Sequence, residues 1–483
     1  MQEVKVVART FEVETGTNDT TEEMNNELTL LAGKAAGVCY MPDDYMENGI
    51  QNKDKALARA EQTSKSGHHS VYDHGHITFV IKTNKMMAMI LNSLGVYATS
   101  EKSARYTKMQ PETELELKLY EKWKAKIRGL IITKYPDMDD EVLNKIWLKK
   151  YSDGAGYKVV NGRLIEIKPV LSPIEDKEAN NWFREKKESM TDTLPSMKLA
   201  MENARYMISV FTPTTMMYTI SFRQAFLTMN YLYNLATNLD YAEDNFSKKL
   251  KSYVVELWKE FEKALGEVRL YDNKNQYIRF LEAQHVGDLV KKDKAGRTFV
   301  SYDDLEERIT SKNEIVADSY TLVYHGSLAM LAQAQRHRTL RYSMLLQDAG
   351  KFGWYVPDIV KEFKLENEWL DDISSVAYCI PQGTVVRITE QGLFEDFALK
   401  CKERMCGRAQ LEIMKSTTES IEKFINNMEG LSYSNQALLK SMVLSENEGD
   451  TKGLTPCARC NFKDFNCTEG CQWGCKKSLT RLI

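Results

Sequence analysis

The sequence has no long apolar run. No stretch of about 18 consecutive apolar residues occurs, so no membrane-spanning helix is expected. The opening residues MQEVKVVARTFEVETG lack the apolar segment of a secretory leader, so export is not expected and the cytoplasm is the default compartment. An excess of one charge is missing too: 65 basic against 68 acidic residues give a formal net charge of −3. That balance points neither to nucleic acid nor to a membrane surface. What is present is the composition of a globular protein, 43% hydrophobic and 28% charged. At 483 residues the chain is too long for one ordinary core, and two domains with an appendage are the natural organisation.

The nine cysteines are unevenly placed. Cys39, Cys379, Cys401 and Cys406 are scattered, whereas Cys457, Cys460, Cys467, Cys471 and Cys475 crowd into the last stretch of the sequence. In a reducing compartment such a cluster favours metal ligation over disulfides. Thiolates at this spacing suit a tetrahedral zinc or an iron–sulfur cluster, with one cysteine to spare. A reducing tail that binds nothing is the alternative.

Hydrophobic patterning divides the rest. Residues 27–38 and 84–95 read as apolar helices, the second stopping at Gly95, and HITFVIK (76–82) reads as a strand. Helical spacing runs through 112–150, whereas 153–195, with glycine, proline and many charges, reads as loops and insertions. Residues 197–213 read as a helix ending before Pro213, followed by apolar helical stretches over 216–238 and 246–265. The pattern then restarts: DSYTLVYH (318–325) is a candidate strand, GSLAMLAQAQRHR (326–338) a candidate helix, and 394–425 a further helical stretch. Aligning Thr78 with Thr321, an offset of 243 residues, lays Ser93-Leu94-Gly95 over Arg336-His337-Arg338. A repeat this long indicates duplication rather than a solenoid.

Three segments carry candidate chemistry. GHHSVYDHGH (67–76) holds four of the seven histidines, and His74 and His76 have the spacing of metal ligands on one strand face, although a polar loop entering a strand has the same look. Arg336-His337-Arg338 closes an apolar helix with two permanent cations. Their forked guanidinium groups suit phosphates and carbonyls, and they would also sit well at a solvated helix end. Residues 101–107 cluster an acceptor, hydroxyls and a guanidinium and could hold a polar anionic molecule.

Together these segments resemble the ThyX family of flavin-dependent thymidylate synthases. That family has a motif of the form RHRxxSxxExSxRY after an apolar helix and GHx(S/T)xxEH upstream. The resemblance comes in two incomplete copies. The first has GHHSVYDHGHITF, with Asp73 in place of the glutamate, and ExSxRY as Glu101, Ser103, Arg105 and Tyr106, but shows Ser-Leu-Gly instead of RHR. The second has QxxRHR as Gln333, Arg336, His337 and Arg338, but Met344, Leu346, Asp348 and Ala349 where ExSxRY would stand. YTISFR (218–223) resembles the family's WTVNxR and places Arg223 on its substrate arginine, with Gln391 at that place in the second copy. RAQLEI (408–413) resembles AQxEI, and Glu422 stands where the family has a further arginine.

The resemblance implies an α+β fold present twice, as residues 1–265 and 266–430; the Cys-rich tail over 431–483 is not part of ordinary members of the family. It implies methylation of dUMP to dTMP with methylenetetrahydrofolate, FAD and NADPH. Because family active sites form between subunits, the complementary losses imply one composite site. Arg336, Arg105 and Arg223 would be catalytic. His68, Ser70, Arg336, His337 and Arg338 would hold the flavin, and Glu101, Ser103, Arg105, Tyr106, Arg223, Gln333 and Arg336 the nucleotide. A homodimer would mimic the family's tetramer. The rival expectations are a relative that makes another modified pyrimidine, such as a hydroxymethylated one, and an inactive scaffold that binds flavin or nucleotide.

Overall fold

The computed structural model describes residues 20–38, 52–66, 69–102, 110–241, 244–265, 318–344, 350–445, 453–466, 479, 481 and 483. The helices are α1 (Thr20–Val38), α2 (Lys53–Ser66), α3 (Lys85–Leu91), α4 (Glu114–Lys134), α5 (Asp140–Lys150), α6 (Pro173–Ser189), α7 (Pro195–Ala204), α8 (Phe222–Asn238), α9 (Asn245–Leu265), α10 (Leu328–Ala334), α11 (Asp358–Glu362), α12 (Glu366–Ser375), α13 (Phe394–Arg404), α14 (Leu411–Asn426) and α15 (Tyr433–Ser441). The strands are β1 (His76–Asn84), β2 (Ala98–Glu101), β3 (Tyr157–Val160), β4 (Arg163–Glu166), β5 (Pro213–Ser221), β6 (Ser319–Ser327), β7 (Arg341–Met344), β8 (Val385–Leu393), β9 (Val443–Leu444) and β10 (Thr455–Pro456). Helices with small antiparallel sheets make this an α+β protein, as expected.

The chain divides into two compact units. Unit 1 comprises Met1–Lys102 and Pro213–His285, and unit 2 comprises Ser103–Thr212 and Val286–Ile483. In unit 1 the sheet order is β1-β5-β2, with β5 antiparallel to both neighbours. Its buried face carries Ile77, Ile81, Met216, Tyr218 and Ile220. α8 covers it with Phe222, Phe226, Met229, Leu232 and Leu235, all nearly solvent-free. α9 adds an apolar stripe of Leu250, Val254, Leu257 and Phe261, and Phe261 reaches Phe79 of β1 with ring centroids 5.3 Å apart.

Unit 2 repeats the plan. Its sheet order is β6-β8-β7, again with the central strand antiparallel to both neighbours. His76 pairs with Ser221 and Asn84 with Pro213 in one sheet; Ser319 pairs with Leu393 and Ser327 with Val385 in the other. The short third strands agree residue for residue: Ala98 and Glu101 face Thr219 and Met216, and Arg341 and Met344 face Gln391 and Ile388. In each unit a nine-residue strand leads into a seven-residue helix. Asn84 caps one helix and Ser327 the other, each accepting from a backbone N–H three residues on.

The segment between β2 and β5 builds its own packing within unit 2. Trp123 of α4 meets Trp369 of α12 edge-on at 4.8 Å and donates to Asp372 at 2.8 Å. A second cluster gathers Leu143, Trp147, Val159, Phe183 and Leu194.

Several expectations need correcting. Residues 153–195 are not only loops: β3 and β4 form a hairpin, turned by Asn161 and Gly162 at φ +50° and +69°, and α6 spans 17 residues behind a Ser172–Glu175 capping box. The helix expected over 197–213 ends at Ala204, and Pro213 opens a strand. Residues 216–221 are strand, so the helix there begins only at Phe222. The stretch 394–425 is two helices, broken between Arg404 and Leu411.

Candidate functional site

In unit 1 the site residues sit at two places on one sheet. Glu101 ends β2 opposite Met216. Its buried carboxylate pairs with Lys85, the first residue of α3, and accepts from Thr214 Oγ1 at 3.1 Å. Lys85 Nζ also donates to the Lys102 carbonyl at 2.8 Å. Arg223 lies at the start of α8, beyond the other end of β5. There its Nη1 donates to Asp73 Oδ2 at 2.9 Å, and Ser221 Oγ donates to the other oxygen of Asp73 at 2.7 Å. Five residues of strand, about 17 Å at 3.4 Å each, separate Met216 from Ser221, so Glu101 and Arg223 are not side by side. Arg223 Nε is buried without a hydrogen-bond partner among the described residues. Ser70 is exposed on a short 3-10 turn (His69–Asp73). His68, Ser103, Arg105 and Tyr106 lie outside the described residues.

In unit 2, Gln333 is in α10, and Arg336-His337-Arg338 follow in the turn between α10 and β7 rather than in the helix itself. α13 buttresses this turn: Arg404 Nη2 donates to the Gln333 carbonyl at 3.3 Å, and Glu403 lies 3.8 Å from His337 Nε2. Burial, with the cations of Arg404 and Lys400 nearby, lowers His337 from its ordinary range to about 2, so the ring is neutral. The side-chain nitrogens Gln333 Nε2 and His337 Nε2 have no hydrogen-bond partner among the described residues. Buried polar atoms left this way suit a ligand.

The register also revises one equivalence. β5 and β8 align end to end, and a helix follows each, so the second residue of α13, Glu395, stands where Arg223 does. Gln391 aligns instead with Thr219, since both face the first residue of a third strand. Unit 2 therefore offers an anion where unit 1 offers a cation. At the Arg338 position unit 1 has Gly95 at φ +62°, where an added Cβ would fall 2.2 Å from Gln224 Oε1. An arginine there would need both a strained backbone and a displaced Gln224.

Glu412 of the AQxEI-like segment is buried and structural. It accepts from Ser327 N at 2.8 Å, Ser327 Oγ at 2.6 Å and Tyr206 OH at 2.9 Å, which ties α14 to the start of α10. Burial pushes its carboxyl upward from the usual range.

Residues 22–237 match the family described as thymidylate synthase complementing protein. This stretch belongs to the ThyX family. The ThyX-like segments at 67–76, 101–106 and 218–223 lie inside it, and Arg336-His337-Arg338 lie beyond it. No curated protein and no solved structure matches the chain.

Two features have less standing as sites. His74 and His76 are both exposed, and no group of three or more potential metal ligands occurs among the described residues. Of the tail cysteines, Cys457 and Cys460 are described. Cys457 donates to the Met442 carbonyl at 3.3 Å, and burial raises its thiol to about 11. Cys467, Cys471 and Cys475 lie outside the described residues. No helix among the described residues is long and apolar enough to cross a membrane.

Sequence reasoning missed Lys85, the contact between Arg223 and Asp73, and the α13 residues behind the Arg-His-Arg turn. Only the substitution at Asp73 gave a hint, because it marks a carboxylate at a motif position.

Proposed function

We propose that the chain is a flavin-dependent thymidylate synthase in which two ThyX-like units contribute one composite active site. Unit 1 supplies His68, Ser70, Glu101, Ser103, Arg105, Tyr106 and Arg223. Unit 2 supplies Gln333, Arg336, His337 and Arg338. The observation that carries this reading is the shared register of the two sheets. It supports reading Ser93-Leu94-Gly95 as the counterpart of Arg-His-Arg, and Met344 as that of Glu101, so that each unit would lack what the other keeps.

The nitrogens of Gln333, His337 and Arg223 that have no partner among the described residues suit a polar ligand, so FAD and a nucleotide are compatible with these residues. Reduced FAD, when bound, supplies the hydride that completes the transferred carbon as a methyl group; that carbon comes from methylenetetrahydrofolate, and NADPH restores the flavin. Arg223 binds the phosphate of dUMP, with Asp73 fixing its fork through one of its nitrogens, and Arg105 holds the nucleotide from the ExSxRY segment. Arg336 places a permanent positive charge at the base and stabilises negative charge that develops on its carbonyls. Neutral His337 adds a flat uncharged surface toward the flavin without opposing Arg336 electrostatically. No thiol nucleophile is required.

Anaerobic incubation with dUMP, methylenetetrahydrofolate, FAD and NADPH, followed by mass analysis of the nucleotide, tests the reaction. A gain of one methyl group is expected. Flavin titration tests the composite site: one FAD per chain is expected, and two per chain overturn it. Glu422, exposed on α14 where the family carries an arginine, favours a second reading in which the carbon is left in another form; a hydroxymethyl product would establish that.

A further inference from the structure

Each unit buries one ion pair that the other replaces with uncharged side chains at the same two positions. In unit 1, Lys85 opens α3 and Glu101 closes β2, with side-chain exposures of 10% and 6%. Their counterparts in unit 2, Leu328 opening α10 and Met344 closing β7, are buried and apolar. In unit 2, Glu390 of β8 and Lys400 of α13 meet at 2.5 Å with side-chain exposures of 0% and 1%. Their counterparts in unit 1, the sixth residue of β5 and the seventh of α8, are the uncharged Tyr218, whose hydroxyl donates to the Leu91 carbonyl at 2.9 Å, and Thr228, whose hydroxyl accepts from Gln224 Nε2 at 3.3 Å.

Buried ion pairs are expensive to desolvate and are often matched in stability by uncharged residues of similar size. Each unit demonstrates that the fold accepts the uncharged alternative. The pairs are therefore not required to close the sheet, and their positions show what they serve. Lys85 anchors Glu101 and the Lys102 carbonyl, where the ExSxRY segment begins. Glu390 also accepts from Tyr320 OH at 2.8 Å and Tyr324 OH at 2.6 Å, which orients its carboxylate fully. Lys400 lies one helical turn before Arg404, which grips the Gln333 carbonyl, and its ammonium sits 5.8 Å from the ring of Tyr342, just past the Arg-His-Arg turn. Each pair thus stands behind the half-site that its own unit has kept.

We infer that Lys85 and Lys400 are positioning residues, each using a buried ion pair to fix the surviving half-site of its unit. The inference rests on the composite-site reading for its ligands, but the rigidity it assigns to the two segments can be measured without them. The test exchanges each pair for the one found in the other unit, in the full chain: Lys85→Leu with Glu101→Met, and Glu390→Tyr with Lys400→Thr. Both proteins should fold, because both replacements already occur in this register. Amide exchange should accelerate at least tenfold over 98–102 in the first and over 333–340 in the second. The Kd for dUMP should rise tenfold or more in the first, and that for FAD in the second. Lys400→Arg, which keeps the pair, should restore slow exchange and tight FAD binding. If a double variant does not fold, Glu101→Gln or Glu390→Gln gives the same exchange readout with little change of shape. Unchanged exchange in folded variants overturns the inference, and so does faster exchange with unaltered affinities in a protein that binds both ligands. If the unmodified protein binds neither dUMP nor FAD yet exchange still accelerates, the functional reading fails while the positioning role stands.

Discussion

Unit 1 and unit 2 have the same strand order, the same pairing register and the same capped seven-residue helix after the first strand, yet they place their charged side chains at different positions of the plan. Unit 1 spends its polar side chains at the end of β2 and the start of α8, with Lys85, Glu101, Asp73 and Arg223. Unit 2 concentrates its own behind the turn after α10, with Glu390, Lys400, Arg404 and His337. Backbone topology alone is therefore a poor guide to chemistry here. It acts as a common frame within which each unit serves as a control for the other.

The sharpest way to break the comparison is to treat equivalent residues alike. Arg336→Ala should lower kcat/KM for dTMP formation by about 10³-fold, the scale of losing one charge that stabilises a transition state, whereas Ser93→Ala at the equivalent position should leave it within about twofold. Equal losses at both positions would end the idea of one working site. Next in size is Glu412→Ala, which strands Ser327 and Tyr206 without their buried acceptor. It should cost about 3 kcal/mol in urea unfolding, and a cost below about 1 would deny the carboxylate its structural role.

His337 gives a smaller effect that depends on pH. Its folded pKa, about 2, lies below the ordinary value of 6.5, so below pH 6.5 the unfolded chain takes up a proton that the folded protein refuses. The neutral ring's contribution is thus complete above that pH and is lost on acidification, at about 1.4 kcal/mol per pH unit between 6.5 and 2. His337→Phe should flatten the fall in stability between pH 6 and 5 by about that amount. His337 has no counterpart ring in unit 1, where Leu94 aligns, so Leu94→Ala should leave the slope unchanged. The smallest effect concerns Gly95. Gly95→Ala should destabilise the chain by about 1 kcal/mol in thermal unfolding because of its positive φ, and Arg338→Ala at the matching position should cost less.

Much of this frame was legible in the sequence where one pattern filled a segment. HITFVIK and DSYTLVYH are rich in β-branched and aromatic residues and are strands, and α9 announces itself through Leu250, Val254, Leu257 and Phe261. Reading failed where two periods run together without a break. β5 passes into α8 at Ser221, which is both the end of a strand and a helix cap, and the apolar residues on either side merged into one helical stretch. The β3–β4 hairpin was overlooked although Asn161-Gly162 between short alternating runs is a strong turn signal; the surrounding charges hid it. The motif residues could be found from their order alone. Lys85 and Lys400 could not, because a lysine at a helix start or on a helix face is ordinarily solvated, and only the folded pairing with a strand carboxylate, Glu101 or Glu390, shows that these two are buried.

The segment 103–212 interrupts unit 1 between its third and central strands and packs within unit 2, so the chain leaves unit 1, returns to it at Pro213 and leaves again after His285. During synthesis, β1 and β2 emerge from the ribosome more than a hundred residues before the strand that must lie between them, and Trp123 emerges well before Trp369, the ring it meets edge-on. A transcript cut after residue 285 would encode all of unit 1 yet also an orphaned stretch with exposed tryptophan, and the remainder would lack Trp123 and the residues of 103–212 that pack with it. The two units, however similar, cannot be encoded as two separate uninterrupted segments.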